Sequence, residues 1–255
     1  MKLPRRLRHG EEATLVEHLG ELRARLIISL VALAVAFAFT FTFHGRLLDW
    51  LNRPLPEHLQ RPVTLGVAEP FLTSVMVSLY AALLLALPII LWQVWSFLAP
   101  AFQEHLQRTV AALVAFATLL GIAGLAFGYW IALPAAVSFL TDYDSAHYTI
   151  LVRARDYYSF ASLCLLAVAL VFEVPIFVLA LVRLRVVSAA KLRRNWRIGL
   201  VAMAALAVAL PGVDPVTTTL EMLPLMALYG LSIALVSVLE PRWRETRAPE
   251  AAPDV

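Results

Sequence analysis

Long apolar runs separated by short polar or proline-bearing stretches dominate the chain: Leu26–Phe43, Phe71–Leu91, Val110–Leu133, Tyr157–Val182, Ile198–Leu210 and Met222–Leu239. A helix needs roughly 20 apolar residues to cross a bilayer core, so the pattern predicts an all-α, polytopic membrane protein with six transmembrane helices. Strand-like alternation is absent, which excludes a transmembrane β-barrel. The fifth run is the exception in length. Its 13 residues reach only about 20 Å as a helix and end in "PGVDP", a turn built on Pro211, Gly212 and Pro215. A crossing that short calls for a thinned bilayer, tilted neighbours or protein cover. A re-entrant hairpin is the alternative, disfavoured by the continuation of the sixth run to Leu239.

The runs divide the chain into a segment 1–25 with an amphipathic helix, a membrane domain 26–239 and a tail 240–255 expected to be disordered. Pro88 in the second run and Pro175 in the fourth remove backbone donors and predict bends. Gly121, Gly124 and Gly128 in the third run permit close helix contact, more readily inside the bundle than between copies. The connections His44–Pro70 and Pro134–Asp156 are long. "GRLLDWLNRPL" places Leu47, Leu48, Trp50 and Leu51 on one side, which suits a helix in the membrane interface; as caps the two connections either cover a cavity or brace the bundle.

Composition agrees with the pattern: the chain is 61% hydrophobic and 15% charged, more apolar and less charged than a soluble domain. Lysine and arginine set the orientation. Lys2, Arg5, Arg6, Arg8, Arg23 and Arg25 precede the first run, and Arg108 follows the second. Arg183, Arg185, Lys191, Arg193, Arg194 and Arg197 follow the fourth, and Arg242, Arg244 and Arg247 lie in the tail. These total 16, against five (Arg46, Arg53, Arg61, Arg153, Arg155) in the alternate connections. Both termini are therefore expected in the cytoplasm. "PRRL" at the start lacks the short apolar core and exit site of an export signal. The lone Cys164 offers neither an internal disulfide nor a metal cluster.

"TLVEHLGELRARL" precedes the first run. Thr14 and Glu17 form a capping box, and Leu15, Leu19, Leu22 and Leu26 make an apolar stripe opposite Glu17 and Glu21. Two readings stand: a solvated acidic face with a Glu21–Arg25 pair, or a carboxylate site for a cationic partner. Glu173, deep in the fourth run, is costly in a bilayer and must be protonated, paired or water-facing; such residues are functional candidates. Asp214 and Glu221 lie near the external end of the last hairpin, and Glu69 just before the second run. Phosphate loops, zinc-protease and nucleophile-elbow motifs are missing, and inverted repeats are not evident. The remaining classes are a translocation or receptor component and a proton- or ion-coupled small-solute transporter.

The ordered set of pieces along the chain is more specific. "HLGELRARL" (18–26), "AEPF" (68–71), "LPIILWQVWSFLAPAF" (87–102), "GLAFGYWIALPAAVSFL" (124–140), "DYYSF" (156–160), "FEVP" (172–175), "LRRNWR" (192–197) and Asp214 before "LPLMALY" (223–229) together resemble TatC, the multi-spanning subunit of the twin-arginine protein translocase. The resemblance covers Leu15 to about Val238. It implies a glove-shaped bundle of six helices with a short final pair, cytoplasmic termini and no enzymatic activity, cofactor or metal. It also implies binding of the twin-arginine signal peptides of folded precursors, TatA-like and TatB-like single-span partners in a homo- or hetero-oligomer, and use of the proton-motive force. No nucleic acid is implied, and the membrane is expected to be a bacterial or archaeal plasma membrane because no transit peptide precedes the first run.

On the same basis Glu21 matches the family's N-terminal signature glutamate and is expected to meet signal arginines, with Glu17 on the same face. Arg23 matches the arginine of that signature and is expected to shape the segment. Glu173 matches the family's intramembrane glutamate; Pro88, Pro175 and Asp214 are expected to be structural. The family commonly has a further glutamate four residues after "PAL" in the first cytoplasmic loop. Here "PAFQEHLQR" places Leu106 there and Glu104 two residues earlier, so either Glu104 substitutes or fewer carboxylates read the signal. "LYG" replaces the family's frequent "LYE", leaving Gly230 without that polar group, and Thr217 and Thr218 stand in place of the usual serine and glutamine.

Overall fold

The structure, a computed structural model, describes residues 15–98, 107–183, 186–211 and 214–245. Helices dominate because lipid offers no partner to a backbone amide or carbonyl, so each must be satisfied within its own segment. In order they are α1 (Leu15–Thr42), α2 (His44–Asn52), α3 (Glu69–Leu98), α4 (Gln107–Phe127), α5 (Leu133–Asp142), α6 (Ala154–Val171), α7 (Val174–Arg183), α8 (Ala189–Arg194), α9 (Trp196–Ala209) and α10 (Pro215–Glu245). Five stretches among the described residues are long and apolar enough to cross a bilayer: Leu19–Thr42, Glu69–Phe97, Ala111–Asp142, Ala154–Arg183 and Pro215–Glu240. The sixth apolar helix, α9, has 14 residues.

The elements differ from the hydropathy pattern in three places. The amphipathic segment is no separate unit: α1 runs unbroken across the expected boundary at residue 25. The third crossing does not end at Leu133. A π turn over Gly128–Ala132 carries the helix into α5, with Leu133 N–H donating to Gly128 O. Pro134 has no amide for the carbonyl four residues back and its ring would crowd it; widening the turn relieves both and keeps the helix going. Of the final pair only α9 is short. Asp214 and Pro215 start α10 seven residues before the apolar run, and it reaches Glu245 with 31 residues, past the expected start of the tail at 240. Of the readings open for α2 the brace fits: Leu51 is buried, and Leu47, Leu48 and Trp50 pack against a core cluster that includes Tyr129, Tyr157 and Tyr158.

The fourth crossing breaks where a bend was expected. Pro175 cannot donate to Val171 O and restricts Val174, so α6 ends at Val171 and α7 restarts at Val174 with Phe172 and Glu173 in the turn between them. Pro88, by contrast, sits inside a continuous α3.

The most buried element is α6, which packs on α3 and α4. Gly124 of α4 and Gly128 of the π turn face it. A Cβ on Gly124 would lie 2.8 Å from Phe172 and 3.0 Å from Ala169 Cα, and one on Gly128 would lie 3.2 Å from Leu165. The glycine spacing therefore serves contact within the bundle, as small residues do between helices in lipid. On the outer flank α1 meets α3 through Ala36, Ala82 and Ala86, and Thr40 Oγ1 donates to Ser78 O across the pair at 2.8 Å.

Candidate functional site

Four polar sites stand out in this apolar frame. The first lies near the start of α1, where Arg25 Nε donates to Glu21 Oε1 at 2.9 Å and Arg25 Nη2 donates to the same oxygen. The pair is one helical turn apart, which favours glutamate on the N-terminal side, and such pairs are worth about 0.2–0.5 kcal/mol. Arg23 is exposed, and so are Leu19, Leu22 and Leu26. Thr14, Glu104 and Leu106 lie outside the described residues, and of Glu17 only the helical backbone is described. Glu21 and Arg23 thus share one helix end.

The second site is Glu173, in the turn created by Pro175. It is buried, and neither carboxylate oxygen has a hydrogen-bond partner among the described residues. Gly121 makes the room: a Cβ there would lie 3.0 Å from Glu173 Oε1. An unpaired carboxylate among membrane helices has to be neutral, solvated or matched by an incoming group.

At the start of α10, Asp214 caps the helix. Its Oδ1 accepts from Thr217 N at 2.7 Å and its carbonyl from Thr218 Oγ1 at 2.9 Å. This is the N-terminal arrangement that aspartate before proline favours. Sequence reasoning underrated Glu221, placed at a lipid-cheap external end. It is 2% exposed, within electrostatic reach of Asp214 and Cys164, and both oxygens lack partners among the described residues. Seven residues put it on Asp214's face of the helix, a signal present in the sequence.

The fourth site centres on Glu69, which the sequence marks only as an external carboxylate, with its partners unread. Glu69, buried at the head of α3, accepts from Arg153 Nε (3.0 Å) and Nη2 (3.2 Å) and from the amides of Leu65 (3.1 Å), Gly66 (3.2 Å) and Arg155 (3.3 Å). Donation to the Glu69 carboxylate is the main cause raising the pKa of Arg153 above its ordinary value, against the effect of burial. Beside it Val63 and Arg153 form a β-bridge, with Val63 N to Val152 O and Ala154 N to Val63 O both 2.8 Å. Tyr129, Tyr157 and Tyr158 complete the brace by donating to Trp50 O, Leu51 O and Asn52 Oδ1. No group of three or more metal-ligating side chains occurs among the described residues.

A polytopic helical bundle with carboxylates buried between its helices and a charged helix end before the first crossing defines a membrane transport or receptor component. Comparison with known proteins resolves which. The family described as "Sec-independent protein translocase protein (TatC)" matches residues 17–224. The chain is 31% identical to TatC of Carboxydothermus hydrogenoformans over 90% of this chain and 95% of that one. It is 34% identical to TatC of Deinococcus radiodurans over 93% and 92%, and 35% identical to the chloroplastic protein of Arabidopsis thaliana over 86% and 65%. A crystal structure titled as the twin arginine translocase receptor TatC in DDM superposes with a TM-score of 0.75 at 30% identity, covering 86% of this chain and 99% of that one. The chain belongs to the TatC family. It is a subunit of the twin-arginine translocase and not a small-solute transporter.

Proposed function

We propose that this chain is the signal-peptide receptor of its translocase, reading paired arginines at the start of α1 and moving folded precursors across the membrane at the expense of the proton-motive force. The observation that carries the reading is the placement of Glu21: a carboxylate held in the first turns of a continuous helix that becomes the first crossing. Both bonds from Arg25 fall on Oε1, so an incoming guanidinium meets Oε2. A forked guanidinium matches a carboxylate better than an ammonium does, and charge-assisted bonds exceed neutral ones in strength. Arg23 shapes the segment, and Glu17 and Glu104 are the further acceptors of this reading. In this reading the chain crosses six times with both termini in the cytoplasm, the side from which precursors arrive. Single-span TatA-like and TatB-like subunits complete the assembly in a bacterial or archaeal plasma membrane.

The test is binding of a labelled twin-arginine peptide to the solubilised chain, against a peptide with both arginines changed to lysine. The reading requires preference for the arginine peptide and its loss in Glu21→Ala with membrane insertion unchanged. Equal binding of both peptides, or undiminished preference in Glu21→Ala, leaves only a solvated acidic face.

A further inference from the structure

A cavity of about 460 Å³ lies between α1, α3, α4 and α6 beneath α2. Trp50 and Leu51 roof it, Leu84 and Leu165 form walls, and Thr40 and Thr118, whose hydroxyls bond to backbone carbonyls, add little free polarity. It opens sideways. Phe39, Leu85 and Ile122, on three different helices, line it and are 58%, 52% and 59% exposed, so the entrance faces the surroundings of the bundle at membrane level. One wall group is unlike the rest: Ser162 is 5% exposed, lines the cavity, and its Oγ has no hydrogen-bond partner among the described residues.

We propose that this cavity is a lipid site, taking one acyl chain of a glycerolipid whose ester carbonyl accepts a hydrogen bond from Ser162. A helix with its side chains is 10–12 Å across. A hydrocarbon chain is slimmer and enters through the lateral opening. Tails already lie against that opening, so entry requires no transfer from water. What it gains is dispersion contact along walls that otherwise face a void, plus a partner for a buried hydroxyl. Ser162 lies eight residues into α6, about 12 Å along the axis, just inside the tyrosine brace.

The test uses the full chain in phosphatidylcholine vesicles doped with phosphatidylglycerol bearing a photoactivatable acyl chain, with adducts located by peptide mass. Adducts at Leu84, Thr118 and Leu165 are expected to saturate near one per chain. Those at Ile198 and Val201, which are 68% and 70% exposed on α9, rise in proportion to probe. Ala81→Trp, which fills the cavity, removes the first set and leaves the second. Thr118→Phe does the same by another route should Ala81→Trp fail to fold. The unmodified chain favours a diester over a diether probe by about two- to tenfold, the ratio one hydrogen bond supplies, and Ser162→Ala loses that preference. Wall adducts that never saturate, that survive both fillings, or that arise from a photoactivatable apolar peptide and not from lipid overturn the proposal. An unchanged ester preference in Ser162→Ala overturns the role of the hydroxyl.

Discussion

Replacing Gly124 by alanine tests whether α4 and α6 pack as closely as their backbones suggest. The new Cβ would sit 2.8 Å from Phe172 Cβ and Cγ and 3.0 Å from Ala169 Cα. The ring can turn, but the Cα of a packed helix cannot move without carrying α6 along. Overpacking of this kind costs about 1–3 kcal/mol, and the gain in helix propensity from glycine to alanine returns about 0.8–1.0 kcal/mol. Gly230 separates the two effects, because a Cβ there meets nothing within 4 Å. Gly124→Ala is therefore expected to be about 1–3 kcal/mol less stable than Gly230→Ala, the propensity term being common to both. Gly121→Ala should fall between them, since its contact is Glu173 Oε1, the end of a side chain that can shift. Reversible unfolding in mixed micelles titrated with SDS, followed by far-ultraviolet circular dichroism, measures the three. Equal stability of the Gly124 and Gly230 variants would refute the close approach.

Two further outcomes follow from the polar sites. Asp214→Ala should lower stability by about 0.5–2 kcal/mol through loss of the cap and speed hydrogen exchange at Thr217 and Thr218, while Asp214→Asn, which can still accept from Thr217 N, should behave as the unmodified chain. Glu69→Gln removes the charge that gathers Arg153 and three backbone amides, so exchange at Val63 and Ala154 should accelerate and the 143–153 connection should be cut sooner by added protease. Unchanged exchange there would mean that the β-bridge and the tyrosines hold the far side without the carboxylate.

The Glu69 clasp also marks the limit of reading the chain by itself. Its partners were visible as letters, an external glutamate and two external arginines, but the hydrogen bond joins residues 84 positions apart. Nothing in either neighbourhood names the other. The same holds for Gly121 and Glu173, whose juxtaposition depends on how α4 meets the turn after α6. It holds for α2 as well, whose leucines look alike whether lipid or protein covers them. Glu221 lies between these cases, because its seven-residue spacing from Asp214 was legible and its burial was not.

What the sequence determined alone is what lipid enforces locally. Apolar runs of crossing length had to be helices because their backbones have no other partner in a bilayer. Pro175 interrupts the fourth crossing because it lacks an amide, as its place in the sequence predicts. The ordered signature pieces likewise identified the family, since they are read as letters. Tertiary structure alone decided which helix faces are covered, which carboxylates pair and which stay unpaired, and that a cavity lies beneath α2. Those depend on contacts between distant segments, and between apolar helices in an apolar solvent the choice of contact rests on shape and a few polar groups, neither of which hydropathy records.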